Sequence, residues 1–195
     1  LRRGKPTLHR AFSENIAVLA GDALNALAFD LVSRADDCRL IRILAQAIGT
    51  EGMIGGQVAD VEAVGKSAIS GVDVEFIHTR KTGALIRASL EMGAVVAGAS
   101  GAEIETAREF GSRIGLAFQV VDDILDIEGS EEVLGKNIGS DADKDKATYP
   151  KVHGLARSKE IARSLIDEGL VILGELDRDA AILRDLAEFV ISRVY

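Results

Sequence analysis

The chain has 195 residues, 47% of them apolar but only 4% aromatic, and a formal charge of −8 at pH 7. That is enough for one domain with a sizeable core; its excess of Ala, Leu, Ile and Val suits packed helices, and its acidity argues against nucleic acid as the main partner. The single cysteine, Cys38, excludes an internal disulfide and points to a reducing compartment, and no run reaches the apolar length expected of a membrane span.

The chain opens at Leu1 rather than Met, as a fragment would, on a basic segment, LRRGKPT. Adjacent Arg2 and Arg3 point to different sides of any helix or strand, so they can serve two anions, one anion and a structural partner, or simply solvent. Ser13 is a good N-cap for a helix reaching about Ser33, with Ile16, Leu19, Ala20, Ala23, Leu24, Leu27 and Leu31 as its buried stripe. A second helix starts near Asp36 and buries Leu40, Ile43, Leu44, Ala47 and Ile48. It runs on into a glycine-rich stretch, Gly49 to Ala63. Glycines inside a helix cost about 1 kcal/mol each, so their use is close approach, of a neighbouring helix or of a ligand. Gln57 and Asp60 lie one turn apart there, and tight packing with two incidental polar groups explains them equally well.

GKSAISGVD, residues 65–73, reads as a linker. The helix that follows, about Val74 to Gly98, is interrupted at Lys81-Thr82-Gly83, where a β-branched residue beside glycine loosens or kinks it and can aim a lysine and a hydroxyl inward. By itself Lys81 reads as a solvated surface lysine. From about Ala102 a helix carries Ile104, Ala107, Phe110, Gly111, Ile114 and Gly115 into GLAFQVVDDILD, and ends at Glu128-Gly129. At about 100° per residue, Gln119, Asp122, Asp123 and Asp126 fall on one side of this otherwise apolar helix. Crowded carboxylates on a body built for burial need a basic partner, a proton, or a hard divalent cation. Three acids in five residues favour the cation over a solvated acidic face.

A long loop follows, with Lys136, Lys144 and Lys146 among its acids, placed to close over a phosphate. Pro150 opens a short helical turn. Ser158 is the expected cap of a helix carrying Ile161, Leu165, Ile166 and Leu173. A last helix from about Asp179 to Arg193 buries Ile182, Leu183, Leu186, Phe189 and Val190. No strand pair stands out, and the expected class is all-α.

Six motifs in order carry a resemblance: LRRGKPT at Leu1, GGQVAD at Gly55, HTRKTGALIRAS at His78, GLAFQVVDDILD at Gly115, LGKNIGSD at Leu134 and DKATYP at Asp145. Over nearly its whole length the chain resembles the C-terminal two thirds of a single-domain trans-isoprenyl diphosphate synthase, most like the bacterial farnesyl diphosphate synthases. The resemblance implies an antiparallel helical bundle of the isoprenoid synthase type, and a cytoplasmic homodimer. It implies a prenyltransferase that condenses an allylic diphosphate with isopentenyl diphosphate, with Mg²⁺, or Mn²⁺ in its place. Farnesyl diphosphate is the favoured product and geranylgeranyl diphosphate the other.

The resemblance also implies roles. Asp122 and Asp126 would ligate the metal, with Asp123 acting from behind them through water. Arg2, Lys81 and Lys136 would bind the allylic diphosphate, Lys146 would assist, and Arg3 would face isopentenyl diphosphate. Thr82 and Gln119 would turn oxygen dipoles toward the carbocation, with Gln57 and Asp60 in support. The family's first aspartate-rich motif would precede Leu1. A non-catalytic partner subunit of a heteromeric synthase is the alternative from another class. A class I terpene synthase keeps the same metal chemistry and changes the reaction.

Overall fold

The computed structural model describes residues 4–66, 69–128 and 146–192, and every regular element among them is helical. Arg2, Arg3 and Lys136 lie outside the described residues. In chain order the helices are α1 (Leu8–Ala11), α2 (Glu14–Ser33), α3 (Cys38–Ile48), α4 (Met53–Ala63), α5 (Gly71–His78), a π-helical turn (Thr79–Gly83), α6 (Ala84–Val96), α7 (Gly101–Glu128), α8 (Tyr149–His153), α9 (Leu155–Leu173) and α10 (Ala181–Ser192).

Local chemistry explains several starts. The Ser13 hydroxyl accepts from the Ile16 amide, and Asp37 accepts from the Arg39 amide. Ser70 and Asp73 form a reciprocal capping box at α5. Ser158 does not cap α9. That helix begins at Leu155 after Gly154, whose φ of 81° suits glycine, and the fully buried Ser158 hydroxyl donates back to the Gly154 carbonyl.

α7 is the axis of the molecule. Phe110, Ala117, Val120, Val121 and Ile124 are wholly buried along it. α6 and α9 flank it, and both run antiparallel to it. On one side the register reads Gly115 against Gly83, then Arg108 against Glu91; on the other, Arg113 pairs with Glu168 and Glu128 with Lys159. The Arg113–Glu168 pair is half exposed and marks register more than it adds stability, whereas Glu91 of the Arg108 pair is buried.

Two expected faces are corrected. No residue of α2 is buried; Val18, Leu19 and Leu24 are each 60–65% exposed, because among the described residues the helix packs chiefly on α1 and α3, which cover only part of its apolar stripe. α2 is also 20 residues long with a mean hydropathy of 1.6 over its most apolar window, which is span-like by length and composition and corrects the expectation that no run reaches that length. Asp22 falls near its centre, where insertion of a carboxylate costs about 2.5–3.5 kcal/mol, so it is no clear membrane span. In α10 the buried face is Ala187, Val190 and Ile191, while Ile182 and Phe189 are exposed. The buried face shares Val190 with the expected one but is rotated toward Ala187 and Ile191, the side that meets α7 and α9, while Leu183 packs at its edge.

Candidate active site

Three elements converge on the acidic end of α7. The first is the π turn. Its residues Thr79–Gly83 replace the kink expected at Lys81-Thr82-Gly83, and π bulges of this kind concentrate at functional sites. The Thr79 hydroxyl feeds the change of register by donating to the Glu75 carbonyl at 2.7 Å and the Phe76 carbonyl at 3.2 Å. Two contacts bracket the turn along α7: Gly83 lies against Gly115, and His78 against Asp123. Lys81 and Thr82 therefore sit on the segment that runs alongside residues 115–123.

Glycine makes this closeness feasible. A Cβ on Gly115 would stand 2.9 Å from the Gly83 Cα, and a Cβ on Gly56 would stand 2.3 Å from the Lys81 backbone nitrogen. The glycine-rich stretch thus serves helix–helix approach, seating α4 on the π turn. The consequence is electrostatic. Asp60, one turn along α4, holds the Lys81 ammonium at 2.6 Å, with the two side chains 13% and 31% exposed. A solvated lysine is excluded; Lys81 is a partly buried cation held in place by a carboxylate. Gln57 is exposed on the same helix.

On α7 itself Gln119 and Asp122 are half-buried, while Asp123 and Asp126 are buried. Asp122 and Asp123 diverge by about 100° around the helix, and their surroundings differ accordingly. Asp123 Oδ2 accepts from His78 Nε2 at 2.8 Å and from the Tyr149 amide at 2.9 Å. That carboxylate oxygen is spent on protein donors. His78 carries its imidazole 5.5 Å from the Tyr149 ring in a stacked arrangement, and His153 lies on the other side of Tyr149 at 5.4 Å. Burial, reinforced by Glu75 and Asp123, pushes the Tyr149 phenol well above its ordinary value. Lys146 stands half-buried three residues before Tyr149.

The donor set suits a hard cation. Among the described residues no cluster of three or more His, Cys, Asp or Glu closes around a point, so a cation held by Asp122 or Asp126 would take its remaining coordination from other oxygens. Mg²⁺ is characteristically bound this way, by few carboxylates plus water and phosphate oxygens. His78 and Tyr149, which hold Asp123, are the residues of this cluster that sequence reasoning passed over; the signal was a histidine directly preceding the polar interruption, inside HTRKTG.

A family model for polyprenyl synthetase matches residues 1–179. The chain belongs to the polyprenyl synthetase family. Relatives of this family member include a chloroplastic geranylgeranyl pyrophosphate synthase of Capsicum annuum, 46% identical over 99% of the chain and 54% of the relative. A farnesyl diphosphate synthase of Geobacillus stearothermophilus is 44% identical over 99% of the chain and 67% of the relative. The chain thus spans about half to two thirds of the length of these curated relatives, which include synthases of both product classes. Among solved structures, a geranyltransferase from Helicobacter pylori complexed with magnesium and isoprenyl diphosphate superposes with a TM-score of 0.84 at 36% identity, covering 98% of this chain and 64% of that one.

Proposed function

We propose that this chain carries the allylic-diphosphate half of a prenyltransferase site, as part of one isoprenyl diphosphate synthase domain. The observation that carries the reading is the placement of the Asp60-held Lys81 and of Thr82 along residues 115–123, the stretch that ends on Asp122. A partly buried cation facing an acidic helix face is what a diphosphate with its counter-ions requires.

In this reading Asp122 and Asp126 hold Mg²⁺, with Mn²⁺ as a substitute. The bound ion supplies charge neutralisation to the diphosphate leaving group. Lys81 donates hydrogen bonds to the same diphosphate, with Arg2, Lys136 and Lys146 alongside it and Arg3 toward isopentenyl diphosphate. The allylic C–O bond breaks with its electron pair leaving on diphosphate. The double bond of isopentenyl diphosphate attacks the cation to form the new C–C bond, and a proton is lost. Thr82 and Gln119 present oxygen dipoles to the cation, with Gln57 and Asp60 in support, while buried Val120, Val121 and Ile124 belong to the packed, water-free body of the helix. A homodimer is supported by the sparsely packed face of α2.

The test is Asp122→Ala in the whole enzyme. Turnover should fall by orders of magnitude, with thermal stability unchanged or slightly raised because a crowded carboxylate is removed. Near-normal turnover at saturating Mg²⁺ would sink the assignment.

A further inference from the structure

The third acid of the stripe does a different job. Asp123 is buried, its Oδ2 is shared by two protein donors, and those donors come from two other motifs, His78 of HTRKTG and Tyr149 of DKATYP. Because a carboxylate oxygen only accepts, His78 Nε2 carries the proton. Its other ring nitrogen, Nδ1, is buried without a hydrogen-bond partner among the described residues. Leaving a polar atom in that condition is unfavourable, and a phenylalanine or leucine would fill the same space without that cost. The Nε2 hydrogen bond is what justifies a histidine there.

We propose that His78 is a positioning residue for the diphosphate site, acting through Asp123. The imidazole holds the Asp123 carboxylate toward the Tyr149 amide, away from Asp122, so that Asp123 ties the π turn and the 146–149 segment to α7 and does not ligate metal. One hydrogen bond fixes the turn that carries Lys81. The other fixes the backbone that carries Lys146. Stacking of His78 on Tyr149 holds both donors over the same oxygen. The idea rests on the diphosphate reading for its consequence, and on the hydrogen-bond geometry alone for its mechanism.

Three variants test it in the 195-residue chain: His78→Phe, which fills the volume without a donor; His78→Gln, whose amide N–H reaches the Nε2 position; and Asp123→Asn, which keeps an oxygen for both donors and loses the charge. The readouts are hydrogen exchange at the Tyr149 amide, and titration with inorganic diphosphate in Mg²⁺. His78→Phe should speed Tyr149 exchange at least tenfold and weaken diphosphate binding at least tenfold. His78→Gln should restore both to within threefold, which a role in packing alone would not predict. Asp123→Asn should bind magnesium diphosphate within threefold of the parent. Wild-type exchange at Tyr149 in His78→Phe, equal losses in Phe and Gln, or a tenfold loss in Asp123→Asn would each overturn the proposal. Should the parent chain fail to bind diphosphate, the site reading falls, and the exchange difference between Phe and Gln still decides the role of His78. If His78→Phe does not fold, exchange in His78→Gln and binding in Asp123→Asn decide it.

Discussion

At the scale of single residues, the decisive fact about Lys81 is its partner. Asp60 is 13% exposed, so removing the ammonium leaves a largely buried carboxylate unpaired, which costs more than the pair itself contributes. Lys81→Ala should therefore lower stability by about 1–3 kcal/mol and weaken magnesium-diphosphate binding together. Adding Asp60→Ala should recover stability without recovering binding, since the double variant removes the orphaned charge but restores no donor. Chemical denaturation and diphosphate titration on the four members of this cycle measure both. Recovery of binding in the double variant would make Lys81 purely structural. The residue types of the site were legible: a lysine beside threonine and glycine, and three acids on one face. What was not legible was pairing across the chain, because Asp60–Lys81 and His78–Asp123 join positions 21 and 45 residues apart, and no local periodicity reports a contact at that distance.

At the scale of elements, Ser13 caps α2 as its chemistry dictates, but the expected linker over residues 65–73 gives way to α5 at Gly71, where Ser70 and Asp73 box the start, and Ser158 lies inside α9 rather than capping it. Another cap, Ser100 with Glu103, begins α7, and Arg178 from the segment before α10 adds an ion pair to the same Glu103. The Arg178 guanidinium, with Ser100, draws the Glu103 carboxyl from about 4.5 to about 2. A depressed acid stabilises the fold above its unfolded value and loses that contribution as pH falls from about 4.5 toward 2. Glu103→Gln should accordingly lower stability by a constant amount between pH 6 and 8, where that contribution is fully present, and flatten the acid limb of the stability–pH curve below about 4.5; an unaltered acid limb would remove the linkage. The faces of the helices were less readable. A sequence shows which residues are apolar, whereas burial depends on what is opposite, and α10 turns Ala187, Val190 and Ile191 inward while Ile182 and Phe189 stay exposed. Gly56 makes the point at its sharpest, since its Cβ would collide with backbone rather than with a movable side chain. Gly56→Ala should push α4 off the π turn, costing about 1–3 kcal/mol as an overpacked contact. It should weaken diphosphate binding beyond what the stability loss explains, because Asp60 moves with α4. Intact binding in a folded Gly56→Ala protein would mean that α4 does not set the position of Lys81.

At the scale of the whole molecule, burial is uneven. The α5–α10 region encloses α7 with completely buried side chains, whereas α2 presents Val18, Leu19, Leu24, Leu27 and Leu31 to solvent at 48–65% exposure. Isolated exposed leucines are ordinary, but Leu19, Leu24, Leu27 and Leu31 recur on one side of the same helix, the pattern of a face for association. Its charged residues do not shield it, since Glu14, Asp22 and Asp30 are spread along 17 residues of helix. The same apolar content that gives α2 its span-like hydropathy thus makes it a face for association, and the acidic Asp22 near its middle disfavours the lipid alternative. The 195-residue chain should self-associate in a concentration-dependent way at tens of micromolar, seen as a rising weight-average mass in sedimentation equilibrium. Leu19→Glu with Leu24→Glu should shift it toward monomer while leaving helix content unchanged, because neither side chain packs within the protomer. A chain that stays monomeric across that range, or a double variant that associates as strongly as the parent, would show that α2 is not the face through which copies meet.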